Sequence, residues 1–241
     1  MKTQFKFEPH AHTSESSMCA SITARELVEL HHELGYDGIA ITDHLESYIG
    51  SRAKGPGGWD DYIDWYLSGY WSARQRGDEL GISVILGMEL RFTENDNDYL
   101  IYGIDESFLR SNPHLYRMGI KEFYRKFGND TLIIQAHPFR YKNKTVHQDC
   151  IHGVEVLNSN PNHQSYNEKA LELCKCNPYL FRVCGSDVHA RGHAGLTYIL
   201  FDCPVNDSNE YRVAIERKHY ILGCELEKHR LILCGAERIP G

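Results

Sequence analysis

The chain has 241 residues, 41% of them hydrophobic, which is enough for a large hydrophobic core that needs no disulfide or structural metal to be stable. Its 26 Lys and Arg against 33 Asp and Glu give a net charge of −7, which argues against stable nucleic-acid binding through a basic surface. No apolar run approaches about 18 residues and the N-terminal segment lacks a signal-peptide core, so we expect no membrane segment and a cytoplasmic location. The eight cysteines form no paired C-x-x-C sets, which predicts reduced thiols rather than a zinc ribbon.

Short apolar runs alternate with helical patterns along the chain. The predicted strands are 5–8, 38–42, 83–86, 98–104, 131–136, 153–157, 181–185 and 196–201, with a short apolar ending at 232–234. The predicted helices are 23–34, 59–80, 119–127, 163–176 and 208–218, the first of them opened by a capping box from Thr23 to Glu26. Repeated strand–helix units favour a parallel sheet or a (β/α) barrel.

Polar residues of unusual type follow the predicted strands. The runs HAH, TDH, GME, AHP and GSDVH each come at or just after a strand end. In a barrel of parallel strands, the loops after the strands meet at one rim, where active sites are built. We therefore expect these side chains to lie close together. They are His10, His12, Asp43, His44, Glu89, His137, Asp187 and His189.

These residue types are typical of a metal site. On extended backbone, residues i and i+2 project to the same side, so His10 and His12 can face one ion. Asp187 and His189 repeat that spacing with a carboxylate and an imidazole. Proline at the next position predicts extended backbone at His137. Mixed imidazole and carboxylate ligands suit zinc, manganese or iron better than calcium or magnesium.

In this order and spacing, the five runs resemble the PHP (polymerase and histidinol phosphatase) family, from His10 to about Gly195. The resemblance implies an α/β fold that is a distorted (β/α)7 TIM-like barrel, and we expect one such domain over residues 1–241. It also implies two or three divalent ions, manganese, iron or zinc, and phosphoesterase activity.

The resemblance further implies how the ligands are shared among the ions. The residues of the first site would be His10, His12, Glu89 and Asp187. Glu89 would bridge to a second ion that His137 also binds, and a third ion would be held by His44 and His189. Asp43 would lie behind the ligands and orient an imidazole.

The sequence departs from the family pattern at two places. Many relatives carry His or Asp about six positions after the second histidine, where this chain has Met18, and Glu15 is the nearest substitute. Many also carry a His at the start of the strand after the Glu, and here Asp98 is the best substitute. Both replacements are carboxylates, which favours manganese or iron.

The expected reaction is attack of a metal-activated hydroxide on the phosphorus of a small phosphorylated metabolite, such as a nucleotide or histidinol phosphate. Arg140 and Arg191 are candidates to clamp a phosphate oxygen, with ordinary surface arginines as the alternative. His193 and Asp43 are the candidate acids for the leaving group, and His193 is otherwise a bystander.

Four alternatives remain open from the sequence. Arg52 and Lys54 lie in a Gly-rich loop that is either a lid or a solvated loop. The same metals would serve a 3′–5′ exonuclease-type enzyme, which the acidic composition disfavours. An amidohydrolase-like metallo-barrel also begins with an HxH, although the TDH run and the final D-x-H argue against it. A non-catalytic barrel is the last alternative.

Overall fold

The computed structural model describes residues 2–47, 58–143 and 147–226. The strands in these ranges are β1 (Phe5–Ala11), β2 (Gly38–Ile41), β3 (His44–Leu45), β4 (Ser83–Leu86), β5 (Met88–Arg91), β6 (Asp98–Tyr102), β7 (Leu132–Gln135), β8 (Gly153–Asn158), β9 (Phe181–Gly185), β10 (Thr197–Phe201) and β11 (Tyr220–Cys224). The α-helices are α1 (Ala24–Glu33), α2 (Gly58–Tyr66), α3 (Ser68–Leu80), α4 (Glu106–Ser111), α5 (Ile120–Phe127), α6 (Asn167–Cys176) and α7 (Ser208–Glu216).

The strands form two mixed sheets. The first has the order β11-β10-β1-β2-β4, in which β1, β2 and β4 are parallel and β10 is antiparallel to both of its neighbours. The second has the order β3-β5-β6-β7-β8-β9, with antiparallel pairing on both sides of β6 and parallel pairing elsewhere. A parallel bridge between Ala11 and Val188 links them. The fold is therefore α/β with mixed sheets, and within the described residues the strands do not close into one seven-stranded sheet.

Local sequence explains where α1 begins. The Thr23 side chain accepts the backbone N–H of Glu26, and the Glu26 side chain accepts the backbone N–H of Thr23, which confirms the predicted capping box. The α1 face that carries Leu27 and Val28 packs into a core cluster with β2 and β4. This packing fixes the end of β1 beside the helix that follows it.

The predicted helix 59–80 is wrong in one respect, because the structure divides it into α2 and α3 at Leu67. Ser16 Oγ donates a hydrogen bond to the Tyr66 carbonyl at 2.7 Å, which draws that carbonyl towards the loop after β1. Gly69 lies against Thr13 of the same loop and against Asp43, which follows β2, and a Cβ atom at this position would collide with the Thr13 hydroxyl. These contacts, rather than the apolar periodicity of residues 59–80, thus determine where α2 ends and α3 begins.

Three further strand predictions need correction. β1 continues to Ala11, so that His10 lies inside the strand instead of after it. β5 is a separate strand that carries Glu89, and β11 was not predicted because its sequence Tyr-Ile-Leu-Gly-Cys contains a glycine and little alternation. The predicted apolar ending at 232–234 and the loop with Arg52 and Lys54 lie outside the described residues.

The hydrophobic core lies between the sheets and the helices that cover them. The four residues of β2 are all buried, as expected of a parallel strand covered on both faces. The largest buried cluster combines β5 and β6 with aromatic residues of α2 and α5, including Tyr62 and Phe123. No helix in the described ranges is both long enough and apolar enough to cross a lipid bilayer.

Candidate metal centre

The structure brings eight of the nine predicted metal ligands into one buried cluster. Among the described residues, four overlapping groups place their ligand atoms within 4.8 Å of one another. Their members are His10, His12, His44, Glu89, Asp98, His137, Asp187 and His189. We call this set the ligand cluster.

Strand register explains part of this convergence. His44 of β3 is the direct parallel partner of Glu89 of β5, and their side chains meet with Nδ1 of His44 2.9 Å from Oε2 of Glu89. On the other side, the backbone N–H of His12 donates to the Val188 carbonyl at 2.9 Å. That hydrogen bond places Asp187 beside the two β1 histidines. Several ligands therefore lie within paired strands rather than only in the loops after them.

Glu89 is the centre of the ligand cluster. Its carboxylate is 1% exposed, and its Oε1 lies 2.9 Å from His137 Nε2 and 3.5 Å from His10 Nε2. Its Oε2 lies 3.4 Å from His12 Nε2, besides the contact with His44. One carboxylate therefore contacts four imidazoles, which is the arrangement expected of a ligand that bridges ions.

Asp187 approaches the same imidazoles from the opposite side. Its Oδ1 lies 3.4 Å from His12 Nε2 and 3.2 Å from His189 Nδ1, yet this buried oxygen has no hydrogen-bond partner of good geometry. Its Oδ2 accepts from Arg140 Nη2 at 2.7 Å and from Asn158 Nδ2 at 3.2 Å. Because a buried unpaired carboxylate oxygen is costly, its orientation indicates a cation as the missing partner.

The tautomers of the two β1 histidines also fit a metal ion. His10 Nδ1 lies 2.9 Å from Glu155 Oε1, and His12 Nδ1 lies 3.3 Å from Ser17 Oγ, whose proton goes to Asp43. Both Nδ1 atoms therefore act as donors, so each neutral ring has its lone pair on Nε2. These two Nε2 atoms are only 3.1 Å apart. Two converging lone pairs repel unless a cation or a proton lies between them, so the donor set fits a metal ion.

The charges of the ligand cluster are strongly coupled. Burial alone would lower the pKa of His10, but the carboxylates of Asp187, Glu155 and Glu89 raise that pKa well above its usual value. Burial would raise the pKa of Glu89, whereas the imidazoles of His44 and His10 lower it well below its usual value. Imidazole protons thus balance the carboxylates in the absence of a cation, and a bound cation would displace them.

Asp43 acts on the ligands through a serine. Its carboxylate accepts three hydrogen bonds of 2.7 Å, from the Thr13 backbone N–H, the Thr13 hydroxyl and the Ser17 hydroxyl. Ser17 in turn contacts His12, so Asp43 orients that imidazole indirectly. Burial raises the pKa of Asp43 to about 6. Its enclosure behind Ser17 does not bring it to the cavity, where a leaving-group acid would be needed.

Glu15 and Arg191 are not brought to the ligand cluster. The Glu15 carboxylate accepts the backbone N–H of Ala24 at 3.0 Å, because the loop after β1 turns this side chain towards the first residue of α1. The Arg191 side chain is 69% exposed and lies 3.9 Å from Glu33. In the structure Glu15 therefore binds the N-terminus of α1, and Arg191 is an exposed surface residue.

Arg140 and His193 lie next to the ligands. Arg140 lines the cavity and holds Asp187, so it is both near a substrate position and engaged with a ligand. His193 is buried and contacts the segment that carries His189, because the His189 backbone N–H donates to His193 Nδ1 at 3.4 Å. The other ring nitrogen of His193, Nε2, lies 3.3 Å from Asn162 Nδ2. His193 is therefore placed to support the loop rather than to meet a leaving group.

His137 does not have the extended backbone that the following proline predicts. Its φ is 27°, in the left-handed region, as is the φ of 53° at Asp187. Hydrogen bonds on both sides of the residue hold this conformation, since its N–H donates to Glu155 Oε2 at 2.9 Å and its carbonyl accepts from Asn143 Nδ2 at 2.8 Å. Strained conformations of this kind concentrate at functional sites.

An open cavity of about 500 Å³ leads to the ligand cluster. Cationic and amide side chains line it beside the ligands, namely Arg91, Arg140, Lys142, Asn143, Asn160, Asn162 and His163. Arg91 donates to both oxygens of Asp98 at 2.7 Å, which orients that carboxylate 3.9 Å from His137 Nε2. Glu46 and Asp96 also line the cavity, so its wall carries groups of both charges, and Arg91 and Arg140 are engaged with Asp98 and Asp187.

Sequence reasoning missed four residues that shape the site: Ser17, Cys19, Arg91 and Asn158. The Asn158 amide donates both to Glu155, which holds His10, and to the ligand Asp187, and the asparagine-rich run after β8 was the available signal. Cys19 lies at the cavity mouth beside Met18. Burial would raise the pKa of the Cys19 thiol, but hydrogen bonds with the imidazoles of His189 and His44 lower it to about 6.

Comparisons with solved structures support this reading of the fold. A two-domain protein of Bacteroides vulgatus containing a predicted PHP-like metal-dependent phosphoesterase is 18% identical, with a TM-score of 0.63, over 92% of this chain. This chain spans 65% of that protein's length. PsfC of Pseudomonas syringae is 13% identical, with a TM-score of 0.62, over 98% of this chain and 97% of its own. An amidohydrolase of Chromobacterium violaceum with bound sulfate is 15% identical, with a TM-score of 0.52, over 92% of this chain and 99% of its own.

Among curated proteins no match was found. At identities this low, the structural neighbours show the fold alone. The family model of the PHP domain, however, matches residues 8–229, which includes every residue of the ligand cluster. This chain therefore belongs to the PHP domain family.

Proposed function

We propose that the chain is a metal-dependent phosphoesterase that hydrolyses a phosphate ester of a small metabolite, such as a nucleotide or a histidinol-phosphate-like compound. The observation that carries this proposal is the contact of Glu89 with four imidazoles, close to an Asp187 oxygen that lacks a hydrogen bond, in a cavity whose lining includes Arg140 and Lys142. Membership of the PHP family supports it.

The ligand cluster offers positions for two or three ions of manganese, iron or zinc. His10, His12, Glu89 and Asp187 would hold one ion, while Glu89, Asp98 and His137 would hold a second. His44 and His189, with His12 near them, would hold a third. When bound, such ions supply an activated water nucleophile and neutralise charge on phosphate oxygens.

The remaining residues bind and orient the substrate. Arg140 keeps Asp187 in place and also lines the cavity, where its guanidinium could donate to a phosphate oxygen. Lys142 and His163 also line the cavity, and neither is a member of the ligand cluster, so they suit the part of a phosphorylated metabolite that does not contact the ions. The 500 Å³ cavity is of the size that small-molecule sites have.

We also propose that the two sheets together form the wall of a distorted (β/α)7 barrel. Two hydrogen bonds support this arrangement, from Gly87 N to the Ile41 carbonyl at 2.9 Å and from Glu89 N to the Asp43 carbonyl at 3.1 Å. They continue the β2–β4 pairing of one sheet into the β3–β5 pairing of the other. The Ala11–Val188 bridge joins the opposite edges.

The test is phosphate release by manganese-loaded protein across phosphomonoesters, nucleotides and one oligonucleotide. We expect release from a small phosphomonoester, and its loss in Glu89→Gln, because that change removes the charge that all four imidazoles share. Glu15→Gln is the matched control, since Glu15 lies outside the ligand cluster. Preference for the oligonucleotide would instead support the exonuclease-type alternative.

The amidohydrolase alternative has one observation in its favour, the structural likeness to the Chromobacterium violaceum protein. Arg140 and Lys142 in the cavity lining suit phosphate oxygens and favour the phosphoesterase over it. If metal-loaded protein released no phosphate but hydrolysed amide or lactone substrates, the phosphoesterase proposal would be overturned.

A further inference from the structure

A buried carboxylate, that of Glu8, lies in β1 two residues before the ligand His10. Glu8 is 0% exposed, and its Oε1 accepts the backbone N–H of His10 at 3.1 Å and the backbone N–H of Ser186 at 3.0 Å. Ser186 directly precedes the ligand Asp187, whose φ of 53° is in the left-handed region. One oxygen atom thus connects the backbone of two ligand-bearing segments, β1 and the segment after β9.

The backbone pairing between these two segments ends where Glu8 inserts. The His12 N–H donates to the Val188 carbonyl at 2.9 Å, and the Val188 N–H donates to the His10 carbonyl at 3.2 Å. The N–H groups of His10 and Ser186 come next along the two segments. Because two donors cannot bond to each other, a buried acceptor is required, and Glu8 Oε1 is that acceptor.

The strand β1 also contains a bulge at this place. In its parallel pairing with β2, the partner of Glu8 is Ile39 and the partner of Ala11 is Ile41. Two residues of β1 therefore stand opposite one residue of β2, and a bulge of this kind changes the direction of the side chains around it. The direction of the His10 imidazole thus depends on the contacts that hold the bulge, and the hydrogen bond to Glu8 is one of them.

The other carboxylate oxygen of Glu8 faces the helix α1. This Oε2 atom lies 3.9 Å from Nε2 of His31, which is also 0% exposed, and neither atom has a hydrogen-bond partner among the described residues. Nδ1 of His31 donates to the Leu27 carbonyl at 2.8 Å, so a neutral ring carries its lone pair on Nε2. An imidazole of α1 therefore packs against the carboxylate and limits its movement.

We infer that Glu8 is a positioning residue of the metal centre, which fixes the spacing of His10 and Asp187 through the two backbone N–H groups that its Oε1 accepts. The inference rests on the metal centre of the proposed function and goes beyond it, to a residue outside the ligand cluster. The acceptor must meet donors from two separate segments at once. The reach of the side chain, rather than its charge, is therefore the property that matters.

Two substitutions separate reach from charge. Glu8→Gln keeps the reach and loses the charge, since its amide oxygen can accept both N–H groups and its amide nitrogen can donate to His31 Nε2. Glu8→Asp keeps the charge but withdraws the acceptor by one methylene group, about 1.5 Å. We expect native metal affinity in Glu8→Gln and a loss of about 10-fold or more in Glu8→Asp, measured by competition with a chelator.

The visible spectrum of the cobalt(II) protein gives a readout that a general loss of stability would not move. Ligand-field bands report the geometry of the ligands, so the fully loaded Glu8→Asp protein should differ from the native protein, while Glu8→Gln should match it. Asp37→Glu is the matched control, because Asp37 Oδ2 accepts the backbone N–H of Lys6 at 2.8 Å, near the other end of β1. This variant changes the same kind of contact by the same methylene group, and we expect native affinity and a native spectrum.

Three outcomes would overturn the inference. Native affinity and a native spectrum in Glu8→Asp would show that the ligands do not depend on Glu8. A loss of about 10-fold in Glu8→Gln would show that charge matters rather than reach, and this result is decisive even if Glu8→Asp fails to fold. An equal loss in Asp37→Glu and Glu8→Asp would show only a general weakening of β1. These measurements need no turnover, so their result stands even if no phosphoester is hydrolysed.

Discussion

Glu155 lies directly behind the ligand cluster and holds two of its members. One carboxylate oxygen lies 2.9 Å from His10 Nδ1, and the other accepts the His137 backbone N–H at 2.9 Å. A carboxylate behind a metal-ligating imidazole fixes its tautomer and raises its basicity. Glu155 therefore affects the tautomer and basicity of His10 in the ligand cluster without lining the cavity.

We predict that Glu155→Gln weakens metal binding by about 10- to 100-fold, since it removes the charge behind His10 while keeping the shape of the side chain. A titration against a competing chelator measures this change. Glu172→Gln, on the exposed face of α6, is the control. Equal affinities in the two variants would show that Glu155 only fills space.

Individual ligands were predictable where spacing fixes direction, as for His10 and His12 on extended backbone. Glu15 was not, because the loop after β1 reverses there and linear proximity does not say which way a side chain turns. Ser17 was missed because a serine hydroxyl carries no distinctive pattern. Its role arises only in the folded chain, where the Ser17 hydroxyl donates to Asp43 of a distant segment and contacts the His12 imidazole.

The Glu15 contact with α1 leads to a separate prediction. Its carboxylate accepts a backbone N–H at the first residue of the helix, where negative charge is favourable. We expect Glu15→Gln to lower the free energy of unfolding by about 0.3–1 kcal/mol without changing metal content. Urea denaturation and metal analysis together test this, and a lost metal equivalent would restore Glu15 as a ligand.

At the scale of elements, the junction of α2 and α3 shows how the site determines the helices. Gly69, the second residue of α3, lies against Thr13 and Asp43, which leaves no room for a larger residue. The periodicity of residues 59–80 shows which positions form an apolar helix face, and this face is continuous, so the sequence predicts one helix. The break depends on the Ser16 contact with Tyr66, which no local pattern encodes.

We predict that Gly69→Ala destabilises the protein by about 1–3 kcal/mol and weakens metal binding, because the added methyl group must displace Thr13 from Asp43. Gly192→Ala is the control, since a Cβ atom there meets no neighbouring atom. Thermal unfolding of the two variants should differ clearly. A rise in stability at Gly69, as helix propensity alone would give, would contradict the packing argument.

At the scale of the whole molecule, the ligand cluster holds the two sheets together. Its members come from β1, β3, β5 and β6 and from the segments after β7 and β9, so an ion bound there joins both sheets. The alternation of strands and helices was predictable from the sequence. The division into two mixed sheets was not, because pairing partners such as β1 and β10 are distant along the chain.

We predict that chelation of the ions lowers the melting temperature and that readdition of manganese or zinc restores it. A ligand present at about 100 times its dissociation constant stabilises a fold by about 2.7 kcal/mol. Differential scanning calorimetry with and without chelator measures the change. An Asp187→Asn variant should show a smaller shift than the native protein, because one of the ions loses a ligand, and an undiminished shift would exclude Asp187 as a ligand of a stabilising ion.

The single carboxylate that touches four imidazoles has a further consequence. When Glu89 reorients to bind one ion, the position of its other carboxylate oxygen at the neighbouring site also changes. The affinities of the two sites are therefore thermodynamically linked. The first ion to bind fixes the carboxylate and spares the second ion that ordering cost, which makes loading cooperative. Partly filled molecules should therefore be scarce, and at limiting metal the population should divide into empty chains and full ones.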